Sequence, residues 1–135
     1  MKKLLACLFI AFSFALHSQF EDLASVDVDI QEKEQNLYKL SFVLKLKKGA
    51  STYVHSDDIG APPSFALNLH QSEEYEPVGE WVFPPHKTKY EELFEANVNY
   101  VEGKDFVVTH LLRGKTNDFT VSGDYFGQVC EEGRC

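Results

Sequence analysis

Cysteine is scarce in this sequence: 135 residues hold only Cys7, Cys130 and Cys135. Basic residues are also few, with 13 Lys and Arg against 21 Asp and Glu. No basic cluster offsets that balance. Such a surface repels phosphate backbones and anionic lipid, so nucleic-acid binding is not expected. The apolar run from Leu4 to Leu16 covers 13 residues, too short to span a bilayer. There is no internal repeat, no low-complexity tract, no linker and no long helical period. These absences leave one domain of β structure as the expectation.

What is present supports that reading. Hydrophobic residues make up 44% and aromatics 13%, the composition of a chain that buries a core. Phe (11) and Tyr (6) are plentiful while Met occurs once, which favours strands. The opening "MKKLLACLFIAFSFALHSQ" has a basic start, an apolar run and a small residue, Ser18. It reads as a secretory signal over residues 1–18, cleaved after Ser18. A lipoprotein site at "LLAC" would leave only three apolar residues before the cut, so the cleaved signal is the better reading. Cleavage removes Lys2 and Lys3 and no acid, leaving 11 basic and 21 acidic residues, a formal charge of −10. It also removes Cys7. The exported domain, residues 19–135, then holds one cysteine pair in an oxidising compartment.

Period-two patterns run along that domain. "SVDVDI" places Val26, Val28 and Ile30 on one face, and "YKLSFVLKLKKG" places Tyr38, Leu40, Phe42, Leu44 and Leu46 inward before a turn at Lys48-Gly49. "STYVHS", "SFALNLH", "EWVFPP", "ANVNYV", "DFVVTHLLRG" and the run through "NDFTVSGDYFGQV" read as further strands. "KTKYEELFEA" reads as one helical turn or a loop. Several short strands separated by Gly, Pro, Asn and Asp predict a β-sandwich. The sequence stops at Cys135, where a sandwich is normally closed by another strand, so a domain cut short at its C-terminus is expected.

The chemistry concentrates in "YFGQVCEEGRC", Tyr125 to Cys135. A C-x4-C pair serves as a staple, a metal site or a redox centre. As a staple it would close a loop of about six residues and contribute roughly 2 kcal/mol, little for a disulfide. For metal, His55, His70, His86 and His110 are dispersed and none lies three or four residues from another, so the zinc signal is weak. A redox role needs one thiol that ionises and one that resolves. Glu131 and Glu132 follow Cys130 and disfavour a thiolate there, whereas Arg134 precedes Cys135 and favours one. Cys135 is thus the better attacking sulfur.

Several segments, in order, resemble the amino-terminal periplasmic domain of the thiol:disulfide interchange protein DsbD family. They are "KKGASTYVHSDDIGAPPSFALNL", "YEPVGEW", "PPHKTKYEELFEANVNYVEGKDF" and "VSGDYFGQVCEEGRC", together most of residues 35–135. The resemblance implies an immunoglobulin-like sandwich with Cys130 and Cys135 on neighbouring strands at one end. It implies that the domain receives electrons through membrane and thioredoxin-like domains of the same protein. It then reduces thioredoxin-fold partners such as periplasmic disulfide isomerases and cytochrome c maturation thioredoxins. In that family the second cysteine forms the mixed disulfide, here Cys135, and the first resolves it, here Cys130. A cap-loop Phe covers the disulfide, a place that falls on Phe94, with acidic neighbours at Glu91 and Glu92. No cofactor is implied. The chain departs from the pattern at Gly127, where the family commonly has Tyr, and at Leu93, where it has an acid. The membrane and thioredoxin-like domains are not in this sequence. The expectation is a periplasmic protein-disulfide reductase module using a Cys130/Cys135 dithiol–disulfide pair. The competing expectation is an exported immunoglobulin-like binding module whose bridge is structural.

Overall fold

The computed structural model describes residues 23–132 and 134–135. The signal segment and Cys7 lie outside the described residues. All ten elements are strands: β1 (Ala24–Glu34), β2 (Leu37–Leu46), β3 (Ala50–Val54), β4 (Ala66–Leu69), β5 (Tyr75–Val82), β6 (Lys87–Glu91), β7 (Ala96–Glu102), β8 (Asp105–Gly114), β9 (Gly123–Phe126) and β10 (Val129–Glu131). They form two four-stranded antiparallel sheets, β1-β2-β8-β5 and β10-β3-β7-β6, and a small β4-β9 pair. The fold is the all-β sandwich that the strand pattern predicts.

Alternation in β2 and β8 builds the core. Leu40, Phe42 and Leu44 stand directly across from His110, Val108 and Phe106, and all six side chains point inward and are buried. Period-two burial of this kind fixes register, because a one-residue slip would turn every apolar group to the other face. The second sheet answers with Ala50, Val54, Val101 and Val129. Phe65 closes the space between, 5.0 Å from Phe106 and 5.5 Å from Phe42 between ring centroids.

Two strand readings gain detail in the structure and one local expectation is corrected. Val28 and Ile30 share a face with Val26, yet both are exposed, because β1 is an edge strand that runs beyond the core. Tyr38 is only half-buried, edge-on to Phe119 at 4.9 Å. "KTKYEELFEA" is neither helical turn nor plain loop: Lys87–Glu91 is an edge strand, joined to β7 by a four-residue turn over residues 92–95. Its apolar residues are too few to show a period, since an edge strand packs little of itself.

The second sheet is covered on both faces. Val129, Thr52 and Val101 face the core, while Cys130, Tyr53, Tyr100 and Val98 alternate to the other side. That outer face carries the chemistry below. Phe106 is fully buried and touches the core from both sheets. Phe106→Ala is expected to cost about 3–5 kcal/mol of unfolding free energy. Urea denaturation checks it, and a loss below about 1 kcal/mol would contradict the packing described.

Candidate functional site

The chain reaches the cysteines through a tightly held approach. Gly127 lies against the ring of Phe65, where an added Cβ would sit 2.4 Å from Cδ2. The Thr52 hydroxyl, fully buried, donates to the Gln128 carbonyl at 2.8 Å. Val129 then pairs with Thr52, Cys130 with Ser51 and Glu131 with Ala50.

Beyond Glu131 the chain doubles back. Glu131 and Arg134 exchange both backbone bonds, at 2.8 and 3.0 Å, which makes them the closing pair of a tight hairpin. Glu132 has φ 46°, the left-handed conformation that such turns demand. Glu131 and Arg134 are the hydrogen-bonded pair, so Cys130 and Cys135 fall opposite each other one step further out. There antiparallel Cα atoms approach closest. The Cα separation is 4.1 Å and the two sulfurs are bonded. A C-x4-C spacing is thus the spacing of directly opposed residues across a two-residue turn.

The two sulfurs have different surroundings. Cys130 is 5% exposed and packs with Tyr53 and Val98, whereas Cys135 is exposed. Both line a cleft of about 520 Å³ with Ser51, Tyr53, Lys89, Glu91 and Leu93. Gly49, Glu102 and Glu132 complete its wall. Glu91 ends β6 and points into this cleft, bonded to Lys89 at 3.0 Å. Glu92 is exposed on the turn and is not among the lining residues. Phe94 folds back from the same turn onto the edge of Tyr53, 5.9 Å between centroids, within the cluster that holds Cys130. Leu93, 70% exposed, stands at the rim instead. The turn therefore supplies one apolar side chain behind the disulfide and one beside it.

Electrostatics in the cleft depend on β6. The hydrogen bond that Lys89 donates to Glu91 raises its ammonium above the usual range, opposed by partial burial and aided by the charge of Glu91 and by Tyr53 and Tyr100. Lys89 also lies over the Tyr100 ring at 4.9 Å. Burial first, and then Glu91, push the Tyr53 phenol up, while Lys89 pulls it down. Arg134 is turned to Glu131, at 3.8 Å, and neither is among the residues lining the cleft. Lys89 and Tyr53 were not singled out in the sequence. The signal for Tyr53 is the strand alternation that puts it on the face of Cys130; Lys89 stands three strands away from β10 and leaves no local signal.

The histidines serve other ends. His70 bridges β4 to β9, with Nε2 2.8 Å from Asp124 and Nδ1 3.3 Å from the Ser122 hydroxyl. His55 pairs with Asp57, and His110 is buried edge-on to Trp81. Among the described residues no three His, Cys, Asp or Glu side chains converge as a metal-ligand set. A second, apolar cleft of about 370 Å³ lies between β1, β4 and β9, lined by Val28, Phe42, Leu67, Leu69, Trp81 and Tyr125 among others. No family model, curated protein or solved structure matches this chain.

Two outcomes check this geometry. Gly127→Ala must displace Phe65 from the core and is expected to cost about 1–3 kcal/mol in denaturant unfolding; a neutral result would contradict the contact. Because the Tyr53 phenol is raised, the unfolded chain ionises it first. The stability it contributes is full below about pH 10 and is lost as pH rises beyond that. Glu91→Gln is expected to bring Tyr53 ionisation to lower pH, read by tyrosinate absorbance against Tyr53→Phe. An unchanged titration would separate Glu91 from Tyr53.

Proposed function

We propose that this chain is an exported thiol–disulfide exchange module that works through Cys130 and Cys135. The observation that carries the reading is the asymmetry of the bridge. One sulfur is buried against Tyr53 and Val98, the other is open to an incoming partner, and both edge one cleft. A bridge closing about six residues contributes roughly 2 kcal/mol by loop entropy, whereas a cross-sandwich staple would constrain far more chain. Its position serves exchange better than stability. The ordered segments that resemble the DsbD amino-terminal domain point the same way, to a periplasmic reductase acting on thioredoxin-fold partners.

The cycle starts from the dithiol, formed by a dithiol donor of the thioredoxin type. The Cys135 thiolate attacks one sulfur of a partner disulfide, forming a mixed disulfide and releasing the other partner sulfur as thiolate. The Cys130 thiolate then attacks Cys135 Sγ, restores the Cys130–Cys135 bond and releases the second partner thiolate. Two electrons pass to the partner, and the two protons of the dithiol end on its thiols. Access sets the roles: an approaching disulfide must line up with the attacking sulfur, and Cys135 is the exposed one.

The reduction potential of the pair tests the reading. A value between about −270 and −120 mV, the range of exchange proteins, is expected. A value below about −300 mV would mark an inert bridge and leave the exported binding module as the reading. Cys130→Ser is expected to accumulate a mixed disulfide with a thioredoxin-fold protein. If only Cys135→Ser does so, the two roles are exchanged.

A further inference from the structure

One cross-strand row runs out from the disulfide. Cys130 of β10 pairs with Ser51 of β3, and Ser51 pairs with Glu102 of β7. Directly paired residues carry their side chains on the same face of a sheet. Glu102 thus shares the face of Cys130 from two strands away, about 10 Å at the usual strand spacing. Glu132 comes from the other side, within the hairpin that joins the two cysteines. Both glutamates are exposed, and both line the cleft with Cys130 and Cys135.

The cations at hand are otherwise engaged. Lys89 and Glu91, the remaining charged lining residues, are bonded to each other at 3.0 Å. Arg134 pairs with Glu131 at 3.8 Å. Lys48 and Lys104 are chain neighbours of Gly49 and Gly103 but do not line the cleft. Among the described residues neither Glu102 nor Glu132 takes part in an ion pair. We infer that the exchange site selects disulfides held in positively charged surroundings, so that its protein partner presents Lys or Arg beside its reactive disulfide. Glu102 and Glu132 are the residues that set this preference.

The ground is long-range Coulomb interaction. At about 10 Å an exposed carboxylate still acts over roughly one Debye length at 0.1 M salt. It does little for stability there, yet it biases the approach of a charged reactant. The attacking thiolate is itself negative. An anionic disulfide adds charge to an already anionic encounter, whereas a cationic one offsets it. The formal charge of −10 on the exported domain acts in the same direction from further away.

This inference deepens the exchange reading and rests on it. Reduced protein is mixed with cystamine, 2-hydroxyethyl disulfide or 3,3′-dithiodipropionate, which are cationic, neutral and anionic. Each reaction closes the Cys130–Cys135 bond and releases two small thiols. Rates are divided by those of dithiothreitol at the same pH, which removes the reactivity of the disulfides themselves. At low salt the normalised rate is expected to be about tenfold higher for cystamine than for dithiodipropionate, and the preference to shrink towards one at about 1 M salt. Glu102→Gln and Glu132→Gln are each expected to lower it roughly threefold. Glu80→Gln, at an exposed position on β5 of the other sheet, is expected to leave it unchanged. A wild-type ratio near one would overturn the inference, as would a ratio that the Glu102→Gln/Glu132→Gln double variant retains. An equal fall in Glu80→Gln would overturn the local assignment. The exchange reading fails separately, on a potential below about −300 mV, which the normalised ratio does not measure.

Discussion

The pairing of β10 with β3 governs everything at the cysteine end. Thr52 turns inward and binds the Gln128 carbonyl; Val129 follows it into the core; Cys130 alternates outward beside Tyr53. A slip of one residue would bury Cys130 in the core and turn Val129 out. The register is held from both sides. Gly127 lets the chain pass the Phe65 ring, and Phe65 is locked between Phe42 and Phe106. The precision of the bridge is therefore inherited from the packing of the sandwich, not from the bridge itself. A six-residue loop lacks the entropic leverage to impose such order on a folded domain.

That dependence explains how one disulfide can present two unlike sulfurs. Opposed residues on a hairpin have their side chains on the same face, yet one strand pairs inside a sheet and the other lies at its margin. Cys130 packs with Tyr53 of β3 and Val98 of β7, while Cys135 is exposed. The fold thus gives the bridge one buried and one exposed sulfur.

The long strands could be read in advance because they are buried on one face and alternate cleanly. β2 and β8 are the plainest cases: Leu40, Phe42, Leu44 and Leu46 face Phe106, Val108 and Leu112. Edge strands were harder. Lys87–Glu91 exposes nearly all its side chains, so no period appears, and β1 keeps its alternation while leaving Val28 and Ile30 outside the core. At the site, the cysteine pair was legible from its spacing, and Glu91 lines the cleft with it. Sequence neighbours set the expected charge at each sulfur, whereas the strands arrange the side chains. In strands and tight hairpins adjacent residues point to opposite faces, so Arg134 and Glu131 turn to each other and not to the sulfurs. The cation that lines the cleft is Lys89, on β6, three strands from β10 in the order β10-β3-β7-β6. Sequence distance hides it, since 46 positions separate it from Cys135.

The turn between β6 and β7 shows how such a site balances protection against reach. Phe94 packs behind Tyr53 and stiffens the wall on which Cys130 rests; Leu93 stands exposed at the rim. Burying both would seal the cleft, and exposing both would loosen Tyr53. Dividing the roles between adjacent residues needs a turn that directs them apart. Here that turn closes with Glu95 at φ 51° and the Glu91 carbonyl accepting from the Phe94 amide. The same turn sets the end of β6 and with it the reach of Glu91 to Lys89. The rim residue Leu93, the Phe94–Tyr53 contact and the Glu91–Lys89 pair are thus three consequences of one hairpin.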